Sequence, residues 1–300
     1  MILLSLPRLA FKPVRRALSV SSRHYGKAVF LLLHLLLVTA FFVPVTWPAV
    51  ALCVGCYYMR IFAITVGYHR YFAHRAFRTS RPFQFVLAIF GCSAVQKGPL
   101  WWAANHREHH RHSDEEEDPH SPVKHGVWWS HVGWVISTRN DETKEDKIQD
   151  FSKYWELRML EDFHWVPALG LAGLCWLFGY LTGGILTDVS PVMHGWTCLV
   201  WGFIVSTIFL YHGTFLVNSV CHIFGRKRFV TGDESRNNWW VALLTMGEGW
   251  HNNHHHYMSS ARIGFRWWEI DGGYYLIRLL AIPRLVWGLR SVPTSKMPVS

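Results

Sequence analysis

Cysteine is scarce in this chain, and it sits in the wrong places for thiolate chemistry. Five of the six cysteines, Cys53, Cys56, Cys92, Cys175 and Cys198, lie in or beside apolar runs, and Cys221 adjoins a histidine. Cys53 and Cys56 form a C-x-x-C inside a membrane-length apolar stretch, with no second pair, so a four-thiolate iron–sulfur cluster is excluded. These thiols read as small packing groups. Acidic residues are few as well: 20 Asp and Glu against 30 Lys and Arg, a net charge of +10 with His neutral. That excess does not imply a nucleic-acid partner. No RNA- or DNA-binding motif is present, and the basic residues cluster beside apolar runs, where they orient membrane proteins. What the chain has in quantity is apolar surface, at half of all residues, together with 17 Trp and 19 His. This is the composition of a membrane protein with a polar, metal-binding part.

The apolar runs set the architecture. Residues 1–27 carry Arg8, Lys12, Arg15, Arg16, Arg23 and Lys27 and no acid. They do not read as a signal peptide, because the basic region is long, no small-residue cleavage site follows, and a second apolar run begins at once. Runs at about 28–47, 49–67, 163–186 and 195–215 approach the ~20 residues needed to cross hydrocarbon. The stretch 83–100 is interrupted by Gln96, Lys97, Gly98 and Pro99 and reads as a re-entrant or interfacial helix. Val127 to Trp134 reads as an aromatic interfacial element. The links between the first and second runs and between the third and fourth lack Lys and Arg. The expected fold is therefore all-α, a single multi-pass integral membrane domain over 1–300. It has four transmembrane helices and a helical cap from 68–162 and 216–300, with both termini and the cap in the cytoplasm.

The histidines fall on that cap side. His106, His109 and His110 stand at i, i+3 and i+4 and share one helix face; His251, His254 and His255 repeat the spacing. Asn218 and His222 are four apart, again one face. His69 and His74 are five apart, about 140° on a straight helix, so they share a site only if it lies between them or the helix ends there. A lone histidine is ordinarily a surface or hydrogen-bonded side chain. Nine imidazoles and an amide in four spaced clusters suffice for two metals with four or five ligands each. Imidazole suits iron, zinc and copper, whereas a structural zinc site is closed by about four ligands, usually including Cys. Neutral imidazoles leave the ions' charge uncancelled, so the site stays electrophilic, as activation of O₂ and capture of a C–H hydrogen require.

HRYFAH at 69–74, HREHH at 106–110, NSVCH at 218–222 and EGWHNNHH at 248–255, together with DPHSP at 118–122 and GVWWSHVGW at 126–134, resemble the membrane-bound fatty acid desaturases, in particular the Δ9 acyl-CoA/acyl-lipid type that includes stearoyl-CoA desaturase. The likeness covers about residues 30–270. It implies a diiron centre holding two Fe²⁺ ions, with His69, His74, His106, His110 and His255 on one iron and His109, His222, His251 and His254 on the other. Asn218 would reach the second iron through water. It also implies insertion of a cis double bond into a long acyl chain, with O₂ and two external electrons consumed. No HPGG-type haem segment is present, so the electrons come from a separate donor such as a ferredoxin or cytochrome b5. Trp102 and Thr214 match residues beside the bend in the bound chain. Ala104 and Asn105 replace charged residues that help hold the CoA head group in animal enzymes, which leaves acyl-CoA and acyl-lipid both open as substrates.

Asp114, Asp118, His120, His131 and Glu248 are expected to orient ligand imidazoles, whereas Glu115, Glu116 and Glu117 read as a solvated loop and His112 and His256 point off the shared faces. Two other functions fit parts of the pattern. A diiron hydroxylase or monooxygenase would use similar histidine boxes. A histidine-rich metal transporter or sensor would need ionisable residues within its spans, where His34 is the clearest example.

Overall fold

The computed structural model describes residues 25–297, so the basic cluster from Arg8 to Arg23 lies outside the described residues. Helix α1 (Tyr25–Leu36) runs on as a 3₁₀ turn, Leu37–Phe41. The run expected at 28–47 is thus shorter: the apolar helix covers Gly26–Phe41 and stops before Pro44. Proline cannot donate to a continuing helix, and the residue before it avoids helical geometry. Helix α2 (Trp47–Phe62) starts at Thr46, whose hydroxyl accepts the N–H of Ala49, with Pro48 in the first turn. It continues without a break as a π-helical segment, Ala63–Ala73, giving a 27-residue apolar rod, Trp47–Ala73.

Strand β1 (Arg78–Thr79) and helix α3 (Arg81–Cys92) follow, then α4 (Pro99–Arg111). The interrupted run at 83–100 is therefore two helices joined by a turn, and α3 is too short to cross a bilayer. After several short helical turns come α5 (Trp165–Thr182) and α6 (Pro191–Leu199); α6 continues through a π-helical segment, Val200–Val205, into Ser206–Ser219. The last elements are α7 (His251–His256), α8 (Gly272–Ala281) and β2 (Val286–Trp287), which pairs antiparallel with β1. Among the described residues, three helices have membrane length and apolarity: Trp47–Ala73, Trp165–Thr182 and Pro191–His222. The chain is mostly helical, and four such helices were expected.

Two apolar cores flank the centre of the molecule. One, around Phe72, Leu87, Ala103 and Leu157, joins the end of the α2 rod to α3 and α4. The other, around Phe30, Ala168, Phe203 and Phe215, joins α1, α5 and α6. Between them lies a charge absent from the expectations. Arg60 in α2 is fully buried and donates to the Ser206 and Thr207 hydroxyls and the Cys56 and Ser93 carbonyls. These bonds clamp α2 to α6. His34 is likewise tied, with Nδ1 2.8 Å from the Phe30 carbonyl and Nε2 3.3 Å from His212.

Helix α5 meets α6 closely at Gly179, where a Cβ would run into the His194 carbonyl and the Cys198 side chain. Gly179→Ala is expected to lower stability by about 1–3 kcal/mol through overpacking. Gly173→Ala, with nothing within 4 Å of its Cβ, should be neutral or stabilising by up to about 1 kcal/mol through helix propensity. Thermal unfolding in detergent micelles compares the two.

Candidate metal centre

The histidines gather into two groups where α4, α7 and the ends of the α2 and α6 rods meet. His69, His74, His106, His110 and His254 form the first; His109, His222, His251 and His255 form the second. Within each group the ligand atoms lie within 4.8 Å of one another. The pairing of His69 with His74 depends on the π-helical end of the α2 rod. There the His74 N–H bonds the His69 carbonyl at 3.2 Å, an i→i+5 bond that stacks residues five apart. The two rings end 4.8 Å apart instead of on diverging faces.

One expected assignment is reversed. His254 belongs with the first group and His255 with the second. The reason is helical phase. Residues four apart nearly overlie each other, so His251 and His255 point to the same side, while His254 is about 100° from its neighbour. Helix α4 obeys the same rule: His106 and His110 serve the first group and His109, between them, the second. The two helices are thus interlocked, each giving a pair to one group and a single ring to the other.

The nitrogens face one another. In the first group, Nε2–Nε2 separations are 2.9 Å for His69–His254, 2.9 Å for His74–His106, 3.0 Å for His106–His110 and 2.9 Å for His110–His254. In the second, His222 and His251 are 3.0 Å apart, and the buried His255 Nε2 has no hydrogen-bond partner in the protein. Two ligand atoms at right angles, each about 2.1 Å from an ion, stand about 3 Å apart. The donor set therefore fits a metal ion in each group.

Carboxylates fix which nitrogen faces inward. Asp118 accepts from His109 Nδ1 at 3.0 Å, Asp114 from His222 Nδ1 at 2.9 Å and Asp233 from His255 Nδ1 at 2.6 Å. Glu248 lies 2.5 Å from His69 Nδ1. With the proton held at Nδ1, the Nε2 lone pair is left for a metal. Glu248 is in turn held by the buried Arg70 at 3.2 Å, and Arg70 also pairs with Asp271 at 2.8 Å. Burial, then the crowd of neighbouring imidazoles, pushes His106, His110, His251 and His254 well below the usual histidine range, so these rings are neutral. Burial also lowers His255, to about 4, against the pull of Asp233. Burial works against charge on His109 too, but there Asp118 outweighs it and raises the group. Burial opposes ionisation of Asp114, yet its bonds to His222 and Ser121 bring it down to about 2.

Asp114, Asp118 and Glu248 contact ligand-type histidines, and the His120 ring lies 4.3 Å from that of His109. His131 braces none of them: it bonds Ser219 and His212, each at 3.0 Å. Asp233 was missed. Its sequence neighbourhood marks a turn, since Oδ1 takes the Thr231 hydroxyl at 2.6 Å and the Ser235 N–H at 3.0 Å, but nothing local shows that Oδ2 reaches His255. Glu115, Glu116 and Glu117 are exposed, and His112 and His256 bond elsewhere, to Glu115 and to the Lys296 carbonyl.

A cavity of about 470 Å³, walled by apolar residues such as Leu33, Phe203 and Phe215, reaches this centre. A smaller one of about 40 Å³ lies beyond it against His69 and His251. Trp102, His106, Thr214 and Asn218 border both. The Trp102 ring stacks on His106 at 5.0 Å. Its indole N–H donates to Gln96 at 3.2 Å, and Gln96 donates to the Thr214 hydroxyl at 3.1 Å. Gln96, read from sequence as an interruption, is the link between the two residues expected beside a bent chain.

Asp233→Asn should lower metal affinity about 10–100-fold, the usual cost of losing a partner that orients a ligand. Chelator competition on the purified protein measures it, and wild-type metal retention would show that Asp233 does not hold His255 for binding.

Comparison with known proteins agrees with this geometry. The sequence model of the fatty acid desaturase family matches residues 45–280. A delta-9 desaturase-like protein of Arabidopsis thaliana is 41% identical over 242 residues, covering 79% of this chain and 75% of the relative. The sn-1 stearoyl-lipid 9-desaturase of Anabaena variabilis is 38% identical over 238 residues, 79% of this chain and 82% of the relative. An acyl-CoA 5-desaturase of Anemone leveillei is 37% identical over 252 residues, 83% of this chain and 73% of the relative. With paired histidine groups able to hold metal at the end of an apolar cavity, the chain belongs to the fatty acid desaturase family of oxidoreductases.

Proposed function

We propose that this protein uses two irons and O₂ to insert a cis double bond, at Δ9, into a long acyl chain. The observation that carries the reading is the junction of the two histidine groups with the apolar cavity at Trp102, His106, Thr214 and Asn218. His69, His74, His106, His110 and His254 would hold one iron, and His109, His222, His251 and His255 the other, with Asn218 acting through water. Bound iron supplies the reduction of O₂ and the capture of two vicinal hydrogens. Overall, a CH₂–CH₂ unit, O₂, two electrons and two protons give CH=CH and two waters.

The protein's own part is positioning. The apolar walls exclude water and hold an extended chain. The Trp102–Gln96–Thr214 bridge bends that chain, and the bend selects which carbons face the histidines. Of the three relatives described, one is named a 9-desaturase, one delta-9 desaturase-like and one a 5-desaturase, which supports desaturation and makes the bond position a matter of cavity detail. Electrons come from an external ferredoxin- or cytochrome b5-like donor. Helix α1 serves as a fourth crossing, and the histidine-bearing cap and both termini face the cytoplasm.

Expression in a host with a known fatty acid profile tests the reading: a new monounsaturated species, with its double bond located by mass spectrometry, is expected. A gain of one oxygen instead would identify a hydroxylase, and metal flux without lipid product a transporter. His106→Ala and His251→Ala should each abolish the product while leaving the protein in the membrane fraction. Full activity in either variant would sink the ligand assignment. Gln96→Leu should keep both metals but spread the double bond over neighbouring positions, because it cuts the bridge between Trp102 and Thr214.

A further inference from the structure

One wall of the large cavity is also an outer surface of the protein. Leu32 on α1 and Leu169 on α5 both line the cavity, yet they are 52% and 61% exposed. Trp165, one turn before Leu169 on the same face of α5, lines it too and is 41% exposed. Across from them, Val29, Leu33 and Leu36 continue the lining along α1. The seam between α1 and α5 is apolar along this length. Helix α5 is also the least enclosed of the three long helices: 17% of its apolar window is buried, against 50% for the α2 rod and 78% for the α6 rod. Its tight contact is with α6, at Gly179, far along the helix from Trp165 and Leu169. In water, such an apolar slot would be a liability. In a bilayer it is solvated by acyl chains.

We infer that the cavity opens sideways into the bilayer between α1 and α5, and that the acyl group comes in through this seam while still esterified to a membrane lipid. The inference rests on the reading of the cavity as an acyl site. A chain taking this route never leaves hydrocarbon: it slides from its lipid neighbours past Leu32 and Leu169 toward Trp102. Its head group stays at the membrane surface.

The test does not depend on turnover. The full chain is reconstituted in phosphatidylcholine vesicles containing a phosphatidylcholine with a photoreactive stearoyl chain, irradiated, and mapped by mass spectrometry. Adducts are expected inside, on peptides carrying Trp102 or Thr214, and outside, on α5. The double variant L32W/L169W, which fills the seam at two exposed positions, should lose at least 10-fold of the inner adducts and keep the outer ones. L174W/L181W, at two exposed α5 positions that do not line the cavity, should match the wild type and controls for bulk on this helix. Inner adducts undiminished in L32W/L169W, or formed only from photoreactive stearoyl-CoA, overturn the inference. Failure of the functional reading looks different: the chain reaches the inner peptides, but no double bond appears in the expressing host.

Discussion

Ring nitrogens held about 3 Å apart, lone pair toward lone pair, are the constraint on which the rest of the structure depends. Neutral imidazoles so arranged repel one another unless a cation lies between them, so the protein must impose the arrangement from outside. It does so at the far edge of four of the nine rings. Carboxylates accept the Nδ1 protons of His109, His222 and His255; Glu248 lies against His69 Nδ1, and buried Arg70 holds Glu248. A buried ion pair of this kind adds little to stability by itself, since desolvation offsets much of its attraction. Its value is geometric, because it fixes tautomer and ring orientation together. The strand pair β1–β2 and the C-terminal segment tie down the chain just after His74, where the Arg290 N–H donates to the Ala76 carbonyl at 2.8 Å.

The two groups are not electrostatically equal. Three carboxylates, Asp114, Asp118 and Asp233, contact the second group. The first has Glu248, whose charge is shared with Arg70. The second group therefore lies in the more negative field of the two.

Much of this was legible in the sequence, for a physical reason. The i, i+3, i+4 spacings of His106, His109 and His110 and of His251, His254 and His255 state a helix face directly. Apolar runs of membrane length state the rods. What could not be read there depends on geometry beyond one straight helix. The partners of His254 and His255 follow from the phase of α7 against α4. The union of His69 with His74 needs an i→i+5 turn that periodicity does not announce. Asp233 reaches His255 across 22 positions of chain. The end of α1 at Phe41 shows the opposite error, because apolarity continued past the prolines while the helix did not.

The interlocking of α4 and α7 has one more consequence. Because His109 and His110 are consecutive, as are His254 and His255, the separation of the two groups is set by the spacing of adjacent side chains on two helices. Their ring centroids stand 5.4 and 5.7 Å apart. A helix resists stretching between consecutive residues far more than a loop does, since its backbone bonds already fix each turn. The separation is therefore written twice, on two elements from distant parts of the chain, and neither can shift alone without pulling rings out of both groups. The carboxylates aim individual rings, whereas the helices fix the distance between the sites. The aiming carboxylates Asp114, Asp118, Asp233 and Glu248 all sit in turns or loops, so loops set the orientation of single rings and helices set the spacing between the groups.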